Sequence, residues 1–176
     1  MDENREMEEK ILLERAKVLS NNDKQDQSQG NQKQLVAFLI SGKGYAIEVS
    51  WVKEMLPLPK ITPIPGVPSF ILGAVNVRGN IVTLTDLEEF LEIGKLKEKK
   101  EEQKILVLES SKIQTGIIVD DVIDCLSIPE KQIEAPLVTL EEKKLEYILG
   151  QIRLKGKIFA FLDGKALLEN SRLLIG

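Results

Sequence analysis

The polar side chains best placed for chemistry in this chain lie inside one apolar segment, residues 73–79. Asn76 and Arg78 alternate there with valines, so a strand would direct both side chains to one face. An Arg on a rigid turn can hydrogen-bond through its planar fork while its stem packs on apolar surface, which is typical of protein interfaces. The alternative is a plain hairpin turn, in which Gly79 supplies an unusual backbone angle and Arg78 is solvated.

The remaining composition offers few residues for catalysis. The chain has no histidine, which excludes Ser-His-Asp and Cys-His arrangements and the usual zinc ligand sets. The single cysteine, Cys125, permits no intrachain disulfide, and its apolar segment predicts a buried, inert thiol. We expect the acidic pair Glu88 and Glu89 to lie solvated at a helix start. For an enzyme the composition leaves only Asp, Glu, Lys, Arg, Ser, Thr, Tyr and one Cys, and we expect no metal site and no cofactor.

Charge and hydropathy exclude two further classes. Lys plus Arg is 24 and Asp plus Glu is 28, a net charge of −4, and the sparse aromatics do not interleave with basic residues. Nucleic acid is therefore not an expected partner. The chain contains no phosphate-binding glycine motif and no apolar run near the roughly 20 residues of a membrane span. We expect a cytoplasmic protein without direct membrane insertion.

Residues 1–33 differ in composition from the rest of the chain, and we predict a helix and a disordered tether there. Residues 4–19 are rich in helix formers, and residues 23–33 have no apolar side chain to bury. The helix is either a partner-docking element or a weakly packed surface helix. The apolar residues at near-helical spacing are Met7, Ile11, Leu12, Val18 and Leu19.

From residue 34 the pattern becomes strand-rich. A hairpin turn is expected at residues 78–80, and Asp86 is a candidate N-cap for a short helix ending near Gly94. Five of the seven prolines fall within residues 57–68, so residues 56–69 must be a loop or sheet edge. The predicted strands are residues 35–40, 44–49, 51–55, 70–77, 81–85, 104–109, 116–119 and 122–127.

The second half of this region repeats the first. Residues 70–91 align with 147–168 at a constant offset of 77 with seven identities, and residues 35–56 align with 105–126 at an offset of 70. We predict an all-β fold of two small five-stranded barrels packed as a pseudo-repeat, with short helices. The predicted organisation is helix and tether 1–33, body 34–168 (barrels 34–94 and 104–168, linker 95–103) and tail 169–176.

Several of these motifs resemble the chemotaxis coupling-protein (CheW-like) family. Residues 70–87, FILGAVNVRGNIVTLTDL, are similar to its signature of Phe, Gly, Asn, Arg-Gly and a final Asp-Leu. Residues 45–55 resemble the family's strand pair, residues 62–65 its proline loop, and residues 116–124 its second-half strand motif. The family usually has proline at the position of Thr83 and an aliphatic residue at that of Thr85.

The resemblance implies a non-enzymatic adaptor of two five-stranded barrels. Its partners would be the regulatory domain of the histidine kinase CheA and the cytoplasmic tips of transmembrane chemoreceptors, to whose arrays it would be recruited. By motif position, the family's protein-contacting residues fall on Val52, Glu54, Gly73, Asn76 and Arg78. Two alternatives stay open: an adaptor in a non-chemotaxis kinase pathway, and a module that binds a small molecule or nucleotide in the seam between the barrels.

Overall fold

Strands dominate the part of the chain that the structure describes. The structure is a computed structural model, and it describes residues 2–21, 31–94, 103–136, 146–170 and 173. The strands are β1 (Gln32–Ile40), β2 (Lys43–Glu48), β3 (Val52–Pro57), β4 (Ile71–Val77), β5 (Asn80–Thr85), β6 (Lys104–Glu109), β7 (Gln114–Val119), β8 (Asp121–Pro129), β9 (Ile148–Leu154) and β10 (Lys157–Leu162). The helices are α1 (Asp2–Asn21), α2 (Leu87–Phe90) and α3 (Gly164–Leu168), with 3₁₀ turns at Val49–Trp51 and Glu130–Gln132.

The ten strands form two five-stranded sheets that exchange strands between the repeats. One sheet has the order β8-β1-β2-β10-β9 and the other β3-β6-β7-β5-β4. The all-β class and the two five-stranded units are therefore confirmed, but the expectation that 34–94 and 104–168 each form their own barrel is wrong. Each repeat places its first two strands beside the last three of the other. The exchange lets two units too small to bury a core alone share theirs.

Neither barrel is closed by a continuous strand ladder among the described residues. In each one a single backbone bridge joins the segment beyond one edge strand to the other edge, Thr62 to Ala74 and Glu134 to Gln151. Glycines make this approach possible, because a Cβ on Gly73 would lie 2.6 Å from the Thr62 oxygen and one on Gly150 2.4 Å from the Glu134 oxygen. The two glycines occupy matching positions in the repeat.

Each sheet also contains one parallel strand pair, and a glycine marks each pair. Gly44 on β2 lies opposite Phe159 on β10, and Gly116 on β7 lies opposite Leu84 on β5. A Cβ on either glycine would come within 2.8 Å of that large side chain. The missing side chains therefore make room for the aromatic and leucine side chains that fill the two barrels.

Among the residues that the structure describes, three apolar clusters form the core. One lies in each barrel, around Phe159 and Phe161 in the first and around Val82 and Leu84 in the second. The largest joins both sheets, and there the ring of Phe90 packs 5.2 Å from those of Phe70 and Tyr147. Because these rings come from both repeats, the halves cannot separate without exposing this core.

The strand and helix boundaries differ from the sequence predictions at a few points. Strand β1 begins at Gln32, so Gln32 and Lys33 belong to it and not to the predicted tether. Polar residues can extend the strand because the hydrogen bonds of a ladder use only backbone groups. The Lys33 ammonium also forms an ion pair with Glu48 at 3.2 Å. Helix α2 ends at Phe90, before Gly94, because Glu92 already has a left-handed φ of 60°. Tether residues 23–30 and linker residues 95–102 lie outside the described residues.

Both short helices begin as the repeat predicts. The carboxylate of Asp86 accepts a hydrogen bond from the Glu89 amide at 3.2 Å, and that of Asp163 accepts one from the Ala166 amide at 3.1 Å. Each aspartate thereby satisfies an amide that the first helical turn leaves unpaired. Within the described residues, no helix has the length and apolar character needed to cross a membrane.

Candidate protein-interaction site

The β4–β5 hairpin carries Arg78 at its tip. Arg78 and Gly79 are the two turn residues, with φ of 52° and 86°, which is the pattern of a type I′ turn. The side chain of Asn76 accepts a hydrogen bond from the Gly79 amide at 2.9 Å. Asn76 therefore braces the turn, and Arg78 lies in the turn itself, where strand alternation with Asn76 does not apply.

Arg78 is oriented by an acidic residue on strand β3, which is the opposite edge of the same sheet. Its Nε lies 3.0 Å from Oε2 of Glu54, which is nearly buried, whereas 74% of the Arg78 side chain is exposed. The pairing of β3 with β6 shifts register between Val52 and Glu54, so that Val52 lies opposite Leu108 and Glu54 lies opposite Val107. Because Leu108 and Val107 are adjacent on β6, the side chains of Val52 and Glu54 point to opposite faces of the sheet. A guanidinium has five N–H donors, so an arginine fixed in this way retains donors for a partner.

The five predicted contact residues are not equally accessible. Glu54 and Arg78 meet directly, and Asn76 lies at the base of the same turn. The Val52 side chain is wholly buried in the core that joins the sheets, and Gly73 is buried at the barrel-closing bridge. Motif position alone could not distinguish these roles, because burial depends on how the two sheets pack.

Helix α1 supplies contacts that motif position did not indicate. It lies across the two edge strands β3 and β8, one from each sheet, and against the 3₁₀ turn at Val49–Trp51. Nη1 of Arg15 donates to the Val52 carbonyl at 2.7 Å, and Oε1 of Glu8 lies 3.5 Å from Nη2 of Arg78. The spacing of Glu8, Ile11 and Arg15, three and then four residues, is the sequence signal for this face.

The contacts of α1 follow the repeat. Strands β3 and β8 are equivalent at the offset of 70, and this offset pairs Glu54 with Asp124. Lys10 on α1 forms an ion pair with Asp124, and this hydrogen bond raises the pKa of the lysine. The helix thus reaches Arg78 beside Glu54 on one side of the seam and Asp124 on the other.

The hairpin of the second repeat copies the first in geometry but not in its partners. Lys155 and Gly156 occupy its turn with φ of 49° and 77°. On the adjacent strand, Nε of Arg153 lies 3.4 Å from Oε1 of Glu134. The chain therefore offers Lys155 as an internal counterpart to Arg78.

Glu88 is buried, so the expectation of a solvated helix-start acid is wrong for this residue. Only 1% of its side chain is exposed; the Tyr45 hydroxyl donates to it at 3.2 Å, and the Lys43 ammonium lies 3.5 Å away. Burial, together with the negative charge of Glu88, raises the pKa of Tyr45. The contact ties α2, which follows the second sheet, to β2 of the first.

The prediction of a buried thiol at Cys125 is confirmed. Cys125 lies on β8 beside Asp124, and burial raises the pKa of its thiol to about 12. The thiolate that nucleophilic chemistry needs is therefore disfavoured at neutral pH.

A groove of about 560 Å³ borders the first sheet near its parallel pair. Tyr45, Ile148, Ile158 and Phe159 give it an apolar lining, with Lys43 and Lys157 as its charged residues. Among the described residues, no cluster of three or more acidic, Cys or His side chains could hold a metal ion. The groove lacks the paired carboxylates or metal ligands that a hydrolytic site would use.

Comparisons with known proteins point to one family. The chain is 28% identical to the chemotaxis protein CheW of Bacillus subtilis (strain 168), over 77% of this chain and 86% of that protein, and 26% identical to the CheW of Thermotoga maritima, over 77% and 87%. The crystal structure of scaffolding protein TtCheW from Thermoanaerobacter tengcongensis superposes with a TM-score of 0.67 at 26% identity, covering 83% of this chain and 95% of that one. The family model described as the CheW-like domain matches residues 34–172, and the chain therefore belongs to the CheW-like domain family.

Proposed function

We propose that this protein is a non-enzymatic adaptor that couples chemoreceptors to the histidine kinase CheA. One observation carries the proposal: a strongly exposed arginine, Arg78, lies on a rigid two-residue turn and is oriented by the nearly buried carboxylate of Glu54. A pre-oriented guanidinium suits recognition of a partner protein, since little side-chain freedom is lost on binding.

Family membership supports the adaptor role. The Bacillus subtilis and Thermotoga maritima relatives are chemotaxis CheW proteins, and the Thermoanaerobacter tengcongensis relative is described as a scaffolding protein. In this proposal the partners are the regulatory domain of CheA and the cytoplasmic tips of chemoreceptors. The protein would act in the cytoplasm and reach the membrane through those receptors.

The contact surface in this proposal centres on Arg78 and Glu54. Asn76 holds the turn that presents the arginine, and Gly73 permits the bridge that closes the barrel beneath it. The Val52 side chain contributes through the core, whereas its carbonyl faces helix α1. In this proposal the binding body begins at Gln32, the first residue of β1, and ends at residue 168, and helix α1 packs against it.

The test is reconstitution of a ternary complex. Purified full-length protein is mixed with a CheA regulatory domain and a chemoreceptor cytoplasmic fragment from the same organism, and the assembly is followed by size-exclusion chromatography with light scattering. We expect a complex that contains all three proteins. If neither partner binds the wild-type chain, the adaptor role is wrong. Calorimetric titration with ATP, GTP and free purines tests the small-molecule alternative, for which we expect no heat of binding.

A further inference from the structure

We propose that helix α1 is an internal competitor for the partner-binding face, and that a partner must displace it. The inference rests on the proposed function, because it concerns the face around Glu54 and Arg78. It assigns to residues 2–21 a regulatory role in addition to any role in folding.

Helix α1 uses the groups that a partner would need. Glu8 on α1 lies 3.5 Å from the Arg78 guanidinium, and Arg15 donates to the Val52 carbonyl at 2.7 Å. Between them in the helix, Ile11 is fully buried in the cluster that also contains Val52. One face of α1 therefore makes polar and apolar contacts with the proposed contact surface, in the place where a partner would make them.

The position of α1 also covers the second copy of this surface. Lys10 pairs with Asp124, the residue that the repeat matches to Glu54, and α1 packs on both β3 and β8. A single helix thus spans the seam and contacts both pseudo-equivalent edge strands. The Arg78 side chain stays mostly exposed, but a partner that packs on either edge strand meets α1.

The attachment of α1 is light enough to be reversible. Ile11 is the only one of its side chains from residues 3 to 16 that is fully buried, Met7 is partly buried, and Leu12 and Leu13 are exposed. Its ion pairs with Arg78 and Asp124 are between solvent-accessible groups, which contribute little at physiological salt. Isolated helices are only marginally stable in water. Helix α1 therefore stays ordered through its docking site around the buried Ile11, which we call its seat.

A covalently attached competitor lowers apparent affinity in a predictable way. Attachment through a short segment gives a local concentration of the order of millimolar, so even a weak helix occupies its seat most of the time. The apparent dissociation constant for a partner then rises by the inverse of the fraction of molecules in which the seat is open. Opening the seat by mutation must therefore strengthen partner binding.

The test compares two variants of α1 that carry the same chemical change. Ile11→Asp places a carboxylate in the buried seat and should release the helix, whereas Leu13→Asp alters a side chain that is 63% exposed and should leave it docked. Affinity for the chemoreceptor cytoplasmic fragment is measured by calorimetry for both variants and the wild type. We expect Ile11→Asp to bind about three- to tenfold more tightly, and Leu13→Asp to match the wild type.

The native thiol reports whether the helix has left. Cys125 lies on β8 under α1, and Lys10 and Glu14 are among the charges that act on its thiol. Modification of this single cysteine by a thiol reagent should be faster in Ile11→Asp than in Leu13→Asp. An Ile11→Asp variant whose thiol becomes reactive while its partner affinity stays at the wild-type value would overturn the proposal.

A second measurement needs no variant and decides the matter if Ile11→Asp does not fold. Hydrogen exchange of the amides in residues 2–21 is followed by mass spectrometry in the wild-type chain, with and without the receptor fragment. We expect exchange to become faster when the fragment binds. Unchanged or slower exchange would mean that α1 stays docked when the fragment binds, and the competitor role would be wrong. Absence of binding by wild type and Ile11→Asp alike would instead refute the adaptor function itself.

Discussion

Nε of Arg78 lies 3.0 Å from Oε2 of Glu54, and this ion pair joins the tip of the β4–β5 hairpin to strand β3. Strands β3 and β4 are the opposite edges of one five-stranded sheet. Their meeting reflects the curl of that sheet, which the bridge between Thr62 and Ala74 closes a few residues away. The candidate contact surface is therefore a product of barrel closure.

Arg78→Ala should weaken partner binding without unfolding the protein. The side chain is mostly exposed and alanine keeps the same non-glycine backbone at φ 52°, but the nearly buried Glu54 carboxylate loses its ion-pair partner, so the melting temperature should fall by no more than about 5 °C. Loss of an interface arginine should raise the dissociation constant about tenfold or more. Calorimetry and thermal unfolding check the two effects. The control is Lys155→Ala at the equivalent turn position of the second repeat, and this variant should bind partners as the wild type does. A large drop in melting temperature for Arg78→Ala would show that this arginine is structural.

Gly150→Ala should destabilise the fold at the barrel-closing bridge. A Cβ there would lie 2.4 Å from the Glu134 carbonyl oxygen, which is backbone and cannot move aside cheaply. We expect the free energy of unfolding to fall by about 1–3 kcal/mol in urea titrations. Gly156→Ala serves as the comparison, because its surroundings are open and its cost of about 1 kcal/mol comes from a φ of 77° alone. Equal losses in the two variants would show that the bridge tolerates an added methyl group.

Glu88→Ala should cost far more stability than Glu89→Ala. Removing the buried carboxylate leaves the Tyr45 hydroxyl without its acceptor and opens a gap between α2 and β2. We expect a loss of about 2–4 kcal/mol for Glu88→Ala and a change within about 0.5 kcal/mol for the partly exposed Glu89. Chemical denaturation of the two adjacent variants measures the difference. Near-equal stabilities of the two variants would mean that water can replace the Glu88 carboxylate as the acceptor for the Tyr45 hydroxyl.

Stability should decline at alkaline pH. The folded state raises the pKa of the Cys125 thiol from 9.0 to about 12, so above pH 9 the unfolded chain has lost a proton that the folded chain retains. The free energy of unfolding then falls as pH rises from about 9 towards 12, by at most about 1.4 kcal/mol per pH unit for this group. The raised pKa of Tyr45 adds a decline of the same sign above pH 10.

Urea titrations at about pH 8, 9 and 10 measure this decline. Cys125→Ala removes the thiol contribution, so its stability should change less between pH 9 and pH 10 than that of the wild type. Identical slopes for the two proteins would show that the Cys125 thiol ionises equally in both states.

Features of local origin could be predicted from the sequence. The alternation of β-branched residues located the strands to within a few residues, and matched aspartates at Asp86 and Asp163 predicted both helix starts. The left-handed turn at Gly79 follows from backbone sterics at a single position. The repeat itself needed no structure, because a constant offset with shared identities is visible in one dimension.

Long-range features were decided by the tertiary structure. A repeat shows that two units are alike but not that they exchange strands, since hydrogen-bonding edges of either unit are equally suitable partners. The burial of Val52 and Glu88 depends on which faces meet when the two sheets pack. The place of α1 depends on a few contacts far apart in sequence, such as those of Glu8 with Arg78 and of Lys10 with Asp124. Local backbone preferences act over a few residues, so the sequence pattern is enough to predict them. The choice among compact arrangements depends on burial and strand pairing over the whole chain, so only the tertiary structure decides it.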